Sequence, residues 1–257
     1  LASKSIVADS FLYQDEYINT NIEGTKCILE LCSYLNINKV IFSSTASVYG
    51  PSKNKKIDEN FFLSPINPYG KSKVEAEKIL KEYSTKHNLN IITFRFFNAC
   101  GGDTKGRIGE LHNPETHLIP KLMQFILKHE EDQFIVYGNN FKTEDGFAIR
   151  DYLHVLDICD AVNLGSNWLT NNKGYQIINL GSGIPISVLQ IITSFEEYFN
   201  KKIDFKIENS RIGEPDFLLS NIDKANSLLN WEPKMSNLNK IIEDTYTWQF
   251  KLLKKGF

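Results

Sequence analysis

The stretch Lys39-Val40-Ile41-Phe42-Ser43-Ser44-Thr45-Ala46-Ser47-Val48-Tyr49-Gly50 decides the fold. Lys39 to Phe42 is a brief apolar run, too short for a helix and suited to a buried strand. Hydroxyl side chains follow at once. A buried strand that ends in clustered hydroxyls sets them at the carboxyl edge of a sheet, where open α/β folds bind ligands. A serine-rich turn is the plain alternative.

Working outward, residues 17–35 read as a helix on the N-terminal side. On the other side, Asn67-Pro68 supplies an N-cap and a first-turn proline. The helix they open carries Ala76, Ile79, Leu80 and Tyr83 at i, i+3, i+4, i+7 spacing. Residues 90–97, rich in Ile, Thr and Phe, read as a strand. The pattern then breaks over residues 101–115, with four glycines, mixed charges and a proline, as at an exit from one domain into another. Beyond it the chain reads as helix 118–129, strand 134–137, helix 154–169, strand 175–180, helix 187–199 and a closing helix 238–253. Such alternation argues for an α/β fold with a parallel sheet. Leu1-Ala2-Ser3 reads as the end of a strand.

With 257 residues, 42% hydrophobic and 23% charged, the chain has the composition of a soluble globular protein. A formal net charge of −2 argues against nucleic-acid or anionic-membrane partners. The basic cluster Lys53, Lys55, Lys56 reads as a solvated loop. Cys27, Cys32, Cys100 and Cys159 show neither CxxC pairing nor zinc spacing, so free thiols in a reducing cytosol are expected and no metal site is assigned. The uncharged stretch 174–195 is interrupted by Asn179, Gly181, Gly183 and Pro185, which suits a strand, a turn and a helix better than a membrane span. No signal peptide is expected.

The strongest chemical signal is Tyr69-Gly70-Lys71-Ser72-Lys73. It opens a helix, so Tyr69 and Lys73 lie one turn apart on one face. A free tyrosine has a pKa of about 10. A nearby ammonium and a helix N-terminus both favour its phenolate, which could then take a proton from a sugar hydroxyl. On spacing alone, a surface tyrosine beside an ordinary helical lysine is the simpler reading.

The hydroxyl-ended strand, the Tyr-x-x-x-Lys helix and the strand Phe94-Arg95-Phe96-Phe97-Asn98 follow one another in the order seen in extended short-chain dehydrogenase/reductases. More narrowly, the chain resembles the UDP-glucose 4-epimerase family. The resemblance rests on Glu115-Thr116-His117-Leu118-Ile119-Pro120, on Thr143-Glu144-Asp145-Gly146 with Ile149-Arg150-Asp151-Tyr152-Leu153-His154-Val155, and on Asn179-Leu180-Gly181-Ser182-Gly183. Arg211-Ile212-Gly213-Glu214 and Asn230-Trp231-Glu232-Pro233 continue it.

The resemblance implies a set of roles. Tyr69 would be the acid/base at the sugar 4-hydroxyl. Lys73 would bind the nicotinamide ribose and depress the tyrosine pKa. Thr45 would hydrogen-bond the 4-oxygen and share in proton transfer. Asn21, Ser43, Ser44 and Phe97 would stand near the cofactor, NAD. Asn98, His117 and Leu118 would line the sugar-diphosphate path, and Ile135 and Tyr137 would flank the uracil. Arg150 and Arg211 would bind the diphosphate, for which a guanidinium fork is suited. Glu214 would accept from the uridine ribose. Leu218 would limit room for the sugar 2-substituent and favour UDP-glucose and UDP-galactose. Ile135 and Tyr137 read equally as plain strand residues, and Arg150 beside Asp151 as a structural ion pair. His154 reads as a satisfied core residue.

The implied reaction is NAD-dependent 4-epimerisation of a UDP-hexose in galactose metabolism, by a homodimer whose helices 17–35 and 71–87 pair across a two-fold axis. A 4,6-dehydratase or decarboxylase is less suited, because Ala46 and Ser47 stand where those enzymes carry carboxylates. The implied fold is a doubly wound, Rossmann-like parallel sheet lacking its first strands, plus a smaller α/β substrate domain. Residues 1–100, with 151–180 packing back, would form the first, and residues 101–150 and 181–257 the second. The Gly-x-x-Gly-x-x-Gly loop that cradles the NAD pyrophosphate is absent from the 257 residues. The expectation is therefore an N-terminal truncation of about 80 residues, judged against the fold. Alone, such a chain is expected to bind NAD weakly, to lack activity and to expose a raw sheet edge; a non-catalytic fragment is the reading from another class.

Overall fold

The structure is a computed structural model that describes residues 3–52, 55–128 and 133–255. Leu1, Ala2, Lys53 and His129 lie outside them; Ser3 sits in a bend. Two short helices, α1 (Val7–Leu12) and α2 (Gln14–Tyr17), lead through a π-helical segment, Ile18–Glu23, into α3 (Gly24–Tyr34). The helix expected over 17–35 is thus composite. Its widened turn carries Asn21, whose side chain turns away to grip the backbone of Lys4, donating to its carbonyl at 3.0 Å and accepting from its amide at 2.9 Å.

The deciding stretch forms β1 (Lys39–Thr45), so Ser43, Ser44 and Thr45 belong to the strand itself. A 3-10 turn, Ala46–Val48, follows, with Thr45 as its cap. After the short β2 (Lys56–Ile57) comes α4 (Pro68–His87), where Asn67 Oδ1 accepts from the Gly70 amide at 2.7 Å as the N-cap pattern required. β3 (Asn90–Phe96) lies between β1 and β7 (Tyr175–Leu180), all parallel. Side chains of β3 alternate between two apolar layers. Ile91 joins Leu29, Leu80 and Leu89 beneath α3 and α4. Ile92 and Phe94 join Leu153, Ala161, Leu169, Ile178 and Trp231 on the opposite face. Covering both faces is what a parallel sheet requires. In contrast, among the described residues β1 pairs with β3 alone, and Val40, Ile41 and Phe42 are half-buried.

The second half grows from the first without a linker. β3 is interrupted at Phe97 alone and resumes as β4 (Asn98–Cys100), which leaves the first sheet and pairs with β6 (Ile149–His154) in a second. That sheet has the order β2-β10-β6-β4, with β10 at Phe217–Ser220, and β8 (Pro185–Ser187) adds to β6 antiparallel. The stretch 149–154 was not read as a strand. His154, read as the start of a helix, is the N-cap of α6 (Val155–Asn171). A third, two-stranded parallel sheet joins β5 (Phe134–Tyr137) and β9 (Phe205–Glu208). Around it pack α5 (Leu118–Lys128), α7 (Val188–Phe199) and α9 (Leu238–Lys254), burying Leu122, Met123, Ile191, Phe195, Ile241 and Ile242. The short helix Asp223–Leu229 lies against α6 and β7.

Asp151 fastens these parts. Fully buried, its carboxylate accepts from the amides of Ser182 (2.5 Å), Gly183 (3.1 Å) and Ser220 (3.1 Å) and from both serine hydroxyls. Any Cβ on Gly181 would come within 2.4 Å of that carboxylate, so the position needs glycine. The uncharged stretch 174–195 resolves into β7, a turn, β8 and the start of α7. Among the described residues, no helix is long and apolar enough to cross a membrane.

Candidate active site

A cleft of about 390 Å³ lies where β1, β3 and β4 end and the second half begins. At one end, α4 enters with Tyr69 over the end of β1. The approach is close: a Cβ on Gly70 would stand 2.3 Å from the Ser47 carbonyl oxygen. Tyr69 is buried, its ring edge-on to that of Tyr17 with centroids 6.3 Å apart. Burial pushes its hydroxyl above the ordinary tyrosine pKa, and a hydrogen bond from Thr45 pulls the other way. Thr45 and Ser44 also line the cleft.

Lys73 sits one turn along and is buried behind the tyrosine rather than in the cleft wall. Its ammonium donates to the Ser43 carbonyl (2.9 Å) and to the Ser3 hydroxyl (3.0 Å), and stands 4.8 Å from the Phe42 ring centroid. Burial lowers its pKa to about 8. The expectation that Lys73 depresses the Tyr69 pKa does not hold here. The ammonium is engaged elsewhere, and desolvation moves the tyrosine the other way. Asn21, placed near a cofactor by resemblance, holds Lys4 and donates to the Ser72 hydroxyl at 3.0 Å.

Ser44 is committed to a network that the sequence reading missed. Its hydroxyl donates to Glu77 Oε1 at 2.5 Å. Glu77 takes Arg95 in a two-pronged pair (3.0 and 2.6 Å), and Arg95 donates to the Tyr49 hydroxyl at 2.8 Å, which donates to Asn179 Oδ1 at 2.6 Å. Every member is buried. The network ties the middle of α4 to β3, and so fixes the helix that carries Tyr69.

The far end of the cleft is cationic. Arg150 and Arg211 flank Glu214 at 4.0 and 3.8 Å, and the Arg211 guanidinium lies 4.2 Å from the Tyr137 ring centroid. Arg150 is not paired with Asp151. Alternation along β6 sends Arg150 and Tyr152 into the cleft and Asp151 to the other side. The Arg150 side chain is 13% exposed, and burial lowers its pKa. Among the described residues its one hydrogen bond is from Nη1 to the neighbouring Ile149 carbonyl at 3.0 Å. A desolvated guanidinium with donors to spare calls for an anion.

Between the ends, Phe97, Asn98, His117, Leu118, Ile135 and Tyr137 line the walls, with Asn98 Nδ2 donating to the Asp151 carbonyl at 3.0 Å. Ile135 and Tyr137 stand on alternate positions of β5, on the face turned to the cleft. Glu110 contacts the His117 ring and raises its pKa. Leu218 is a correction: it packs with Ala46, Val48, Tyr49, Ile57, Val74 and Phe97 and is not part of the cleft wall. Its register partner on β6 is Arg150, so it stands on the same face of the sheet as that arginine, with its side chain packed among these apolar neighbours. Ser47 and Tyr152, not singled out from sequence, do line the cleft. Reading 149–154 as a strand would have found Tyr152.

Comparison with known proteins supplies the context for this geometry. The family described as GDP-mannose 4,6 dehydratase matches residues 1–245. The UDP-glucose 4-epimerase of Halalkalibacterium halodurans is 36% identical over 247 residues, which is 96% of this chain and 74% of that protein. The crystal structure of the Stenotrophomonas maltophila UDP-glucose 4-epimerase, with bound NAD and formylated UDP-arabinopyranose, superposes with a TM-score of 0.94 at 29% identity, covering 99% of this chain and 76% of that one. The Bifidobacterium longum enzyme in complex with NAD+ and UDP gives 0.93 at 29% identity, covering 100% and 76%.

Proposed function

The chain belongs to the UDP-glucose 4-epimerase family, and on that premise we propose how its cleft inverts a UDP-hexose at C4 with NAD as hydride carrier. One observation carries the reading: a buried tyrosine–threonine pair closes one end of a cleft whose other end holds two arginines, a glutamate and an exposed-edge tyrosine. That is the polarity of a sugar diphosphate nucleoside lying along it.

Arg150 and Arg211 bind the diphosphate, with Arg150 gaining the anion that its burial demands. Glu214 accepts from the ribose of the uridine, and Tyr137 and Ile135 take the uracil between them. Asn98, His117 and Leu118 guide the phosphate path. At the sugar, Thr45 bonds the 4-oxygen and passes its proton to Tyr69. When bound, NAD would supply the hydride acceptor and donor at C4, and a positive charge that favours the Tyr69 phenolate. The residues present fit its nicotinamide end. Lys73 holds two acceptors, the Ser43 carbonyl and the Ser3 hydroxyl, and keeps a third ammonium proton for a ribose hydroxyl, while Ser44 and Phe97 line the cleft and Asn21 braces Ser72 on the same helix. Tyr69 then protonates the 4-oxygen again after the keto sugar has turned over.

The matching family model is described by a dehydratase, but Ala46 and Ser47 occupy the 3-10 turn beside Tyr69, and among the described residues Glu214 is the one carboxylate lining the cleft, at its far end. Proton transfer at C5 and C6 has no group to carry it there. We read residues 1–100, with 151–180, as the cofactor-side domain and the remainder as the substrate domain. We also propose a cytoplasmic homodimer. The unpaired cysteines accord with the former. The exposed stripe Ile28, Leu31 and Leu35 on and after α3 accords with the latter, because its i, i+3, i+7 spacing makes one apolar face.

The test has two arms. UDP titrated calorimetrically into the chain should bind, and Arg150→Met should weaken it about tenfold or more. The NAD-loaded holoenzyme should convert UDP-galactose to UDP-glucose; a 4-keto-6-deoxy product would overturn the epimerase reading.

A further inference from the structure

The loop that leads into α5 carries a cluster for which the epimerase chemistry has no use apart from His117. Glu110, His112, Glu115 and His117 each offer a donor atom, and the four atoms lie within 4.8 Å of one another. His112 Nδ1 is 3.1 Å from Glu110 Oε1 and 3.5 Å from Glu115 Oε1, and Glu110 also meets His117 Nδ1. The decisive member is Glu115. Its side chain is 3% exposed. Its Oε1 accepts the Thr116 and His117 amides at 2.8 and 2.9 Å, but its Oε2 is buried with no hydrogen-bond partner. A buried carboxylate oxygen left without a partner is costly and calls for one.

We propose that Glu110, His112, Glu115 and His117 form a binding site for one divalent transition-metal ion of the zinc class. The donor set is two imidazole nitrogens and two carboxylates. Mixed nitrogen and oxygen donors suit Zn²⁺, whereas Mg²⁺ and Ca²⁺ take oxygens. A tetrahedral Zn²⁺ with bonds of about 2.1 Å sets its donors ~3.4 Å apart, so the cluster closes by roughly 1 Å on loading. Both histidines are half-exposed and free to make that movement, and they leave the ion an entry path. The ion also neutralises two carboxylates that otherwise face one another. Sequence reading sought cysteine pairs and zinc-finger spacing, so a set of two histidines and two glutamates within eight residues escaped it. The loaded site pins the loop at the mouth of the cleft, where His117 and Leu118 enter the wall. The site shares His117 with the epimerase reading, and a test run with no nucleotide present keeps the failure of one distinct from the failure of the other.

The experiment is a titration of Zn²⁺ into the chelator-stripped full chain, followed by competition with a chromophoric chelator and by thermal melting. The expected result is one Zn²⁺ per chain and a raised Tm. X-ray absorption should show a nitrogen and oxygen shell with imidazole scattering. His112→Ala and Glu115→Gln should each weaken binding about tenfold or more and abolish the Tm rise. His112 is half-exposed, so its replacement keeps the fold and decides the matter if Glu115→Gln does not fold. Absence of stoichiometric binding at about 10 μM Zn²⁺, sulfur ligation, or affinity unchanged by His112→Ala overturns the proposal.

Discussion

Tyr69 is held neutral by burial in a site that asks it to exchange a proton. Replacing it by Phe in the NAD-loaded holoenzyme should lower turnover about a hundredfold or more while leaving UDP affinity unchanged. Thr45→Val should be milder. Rapid-quench turnover and calorimetry check both, and near-normal turnover in Tyr69→Phe would remove the tyrosine from the chemistry. Lys73 gives a separate expectation. Its folded pKa of about 8 lies below the unfolded value of 10.5, so the unfolded chain binds more protons between those limits. Stability should therefore rise as pH climbs from about 8 to 10, after which the raised pKa of Tyr69, and of Tyr17 at about 12, opposes further gain. Urea midpoints across that range should show the rise in the native chain and its flattening in Lys73→Gln. Residue types and spacing left Tyr69 and Lys73 an ordinary helical pair; the family resemblance singled them out, with Thr45. The direction of the Tyr69 shift was not legible, because desolvation depends on what the rest of the chain packs around the ring. Leu218 depends on packing in the same way: alignment fixes its position along the strand, opposite Arg150, but not the apolar side chains that close around it.

Helix α4 is positioned by two contacts, and each can be broken singly. Gly70→Ala drives a methyl to 2.3 Å from the Ser47 carbonyl, which the backbone must relieve by moving. The expected cost is about 1–3 kcal/mol, together with a fall in kcat, because Tyr69 is the preceding residue. Glu77→Gln leaves the Arg95 guanidinium buried without its carboxylate and should cost about 3–5 kcal/mol in denaturant unfolding. A loss under 1 kcal/mol would mean that water or Tyr49 satisfies Arg95 unaided. Strong periodic elements were legible: α4 with its Asn67 cap, β3, β5, β7, α7 and α9 stand where pattern and capping put them. β2, β4, β8 and β10 have two to four residues each, too few for a period to register. β6 was hidden because Asp151 and His154 look misplaced in a strand until their buried partners are known.

At the scale of the molecule, the stripe on α3 should seat a second copy. Light scattering at micromolar concentration is expected to give a dimer, and Leu31→Glu with Ile28→Glu to give a monomer of unchanged helicity. Alternation of helix and strand made the α/β class legible. The division of one strand between two sheets was not, since nothing in Phe96-Phe97-Asn98 announces it. That division has a mechanical consequence. Lobes joined by a linker can swing apart to exchange ligands, but here β3 and β4 form a nearly unbroken rod through both, pinned at Phe97 by its amide to the Leu180 carbonyl at 2.9 Å. A strand braced on both sides is a poor hinge. The floor of the cleft should stay closed while the 103–117 loop opens, so that nucleotide release keeps pace with the loop and not with a domain swing. In hydrogen exchange, the amides of Ala99 and Cys100 should then be as slow as those of Ile92 and Phe94, and only the loop should exchange faster when UDP leaves.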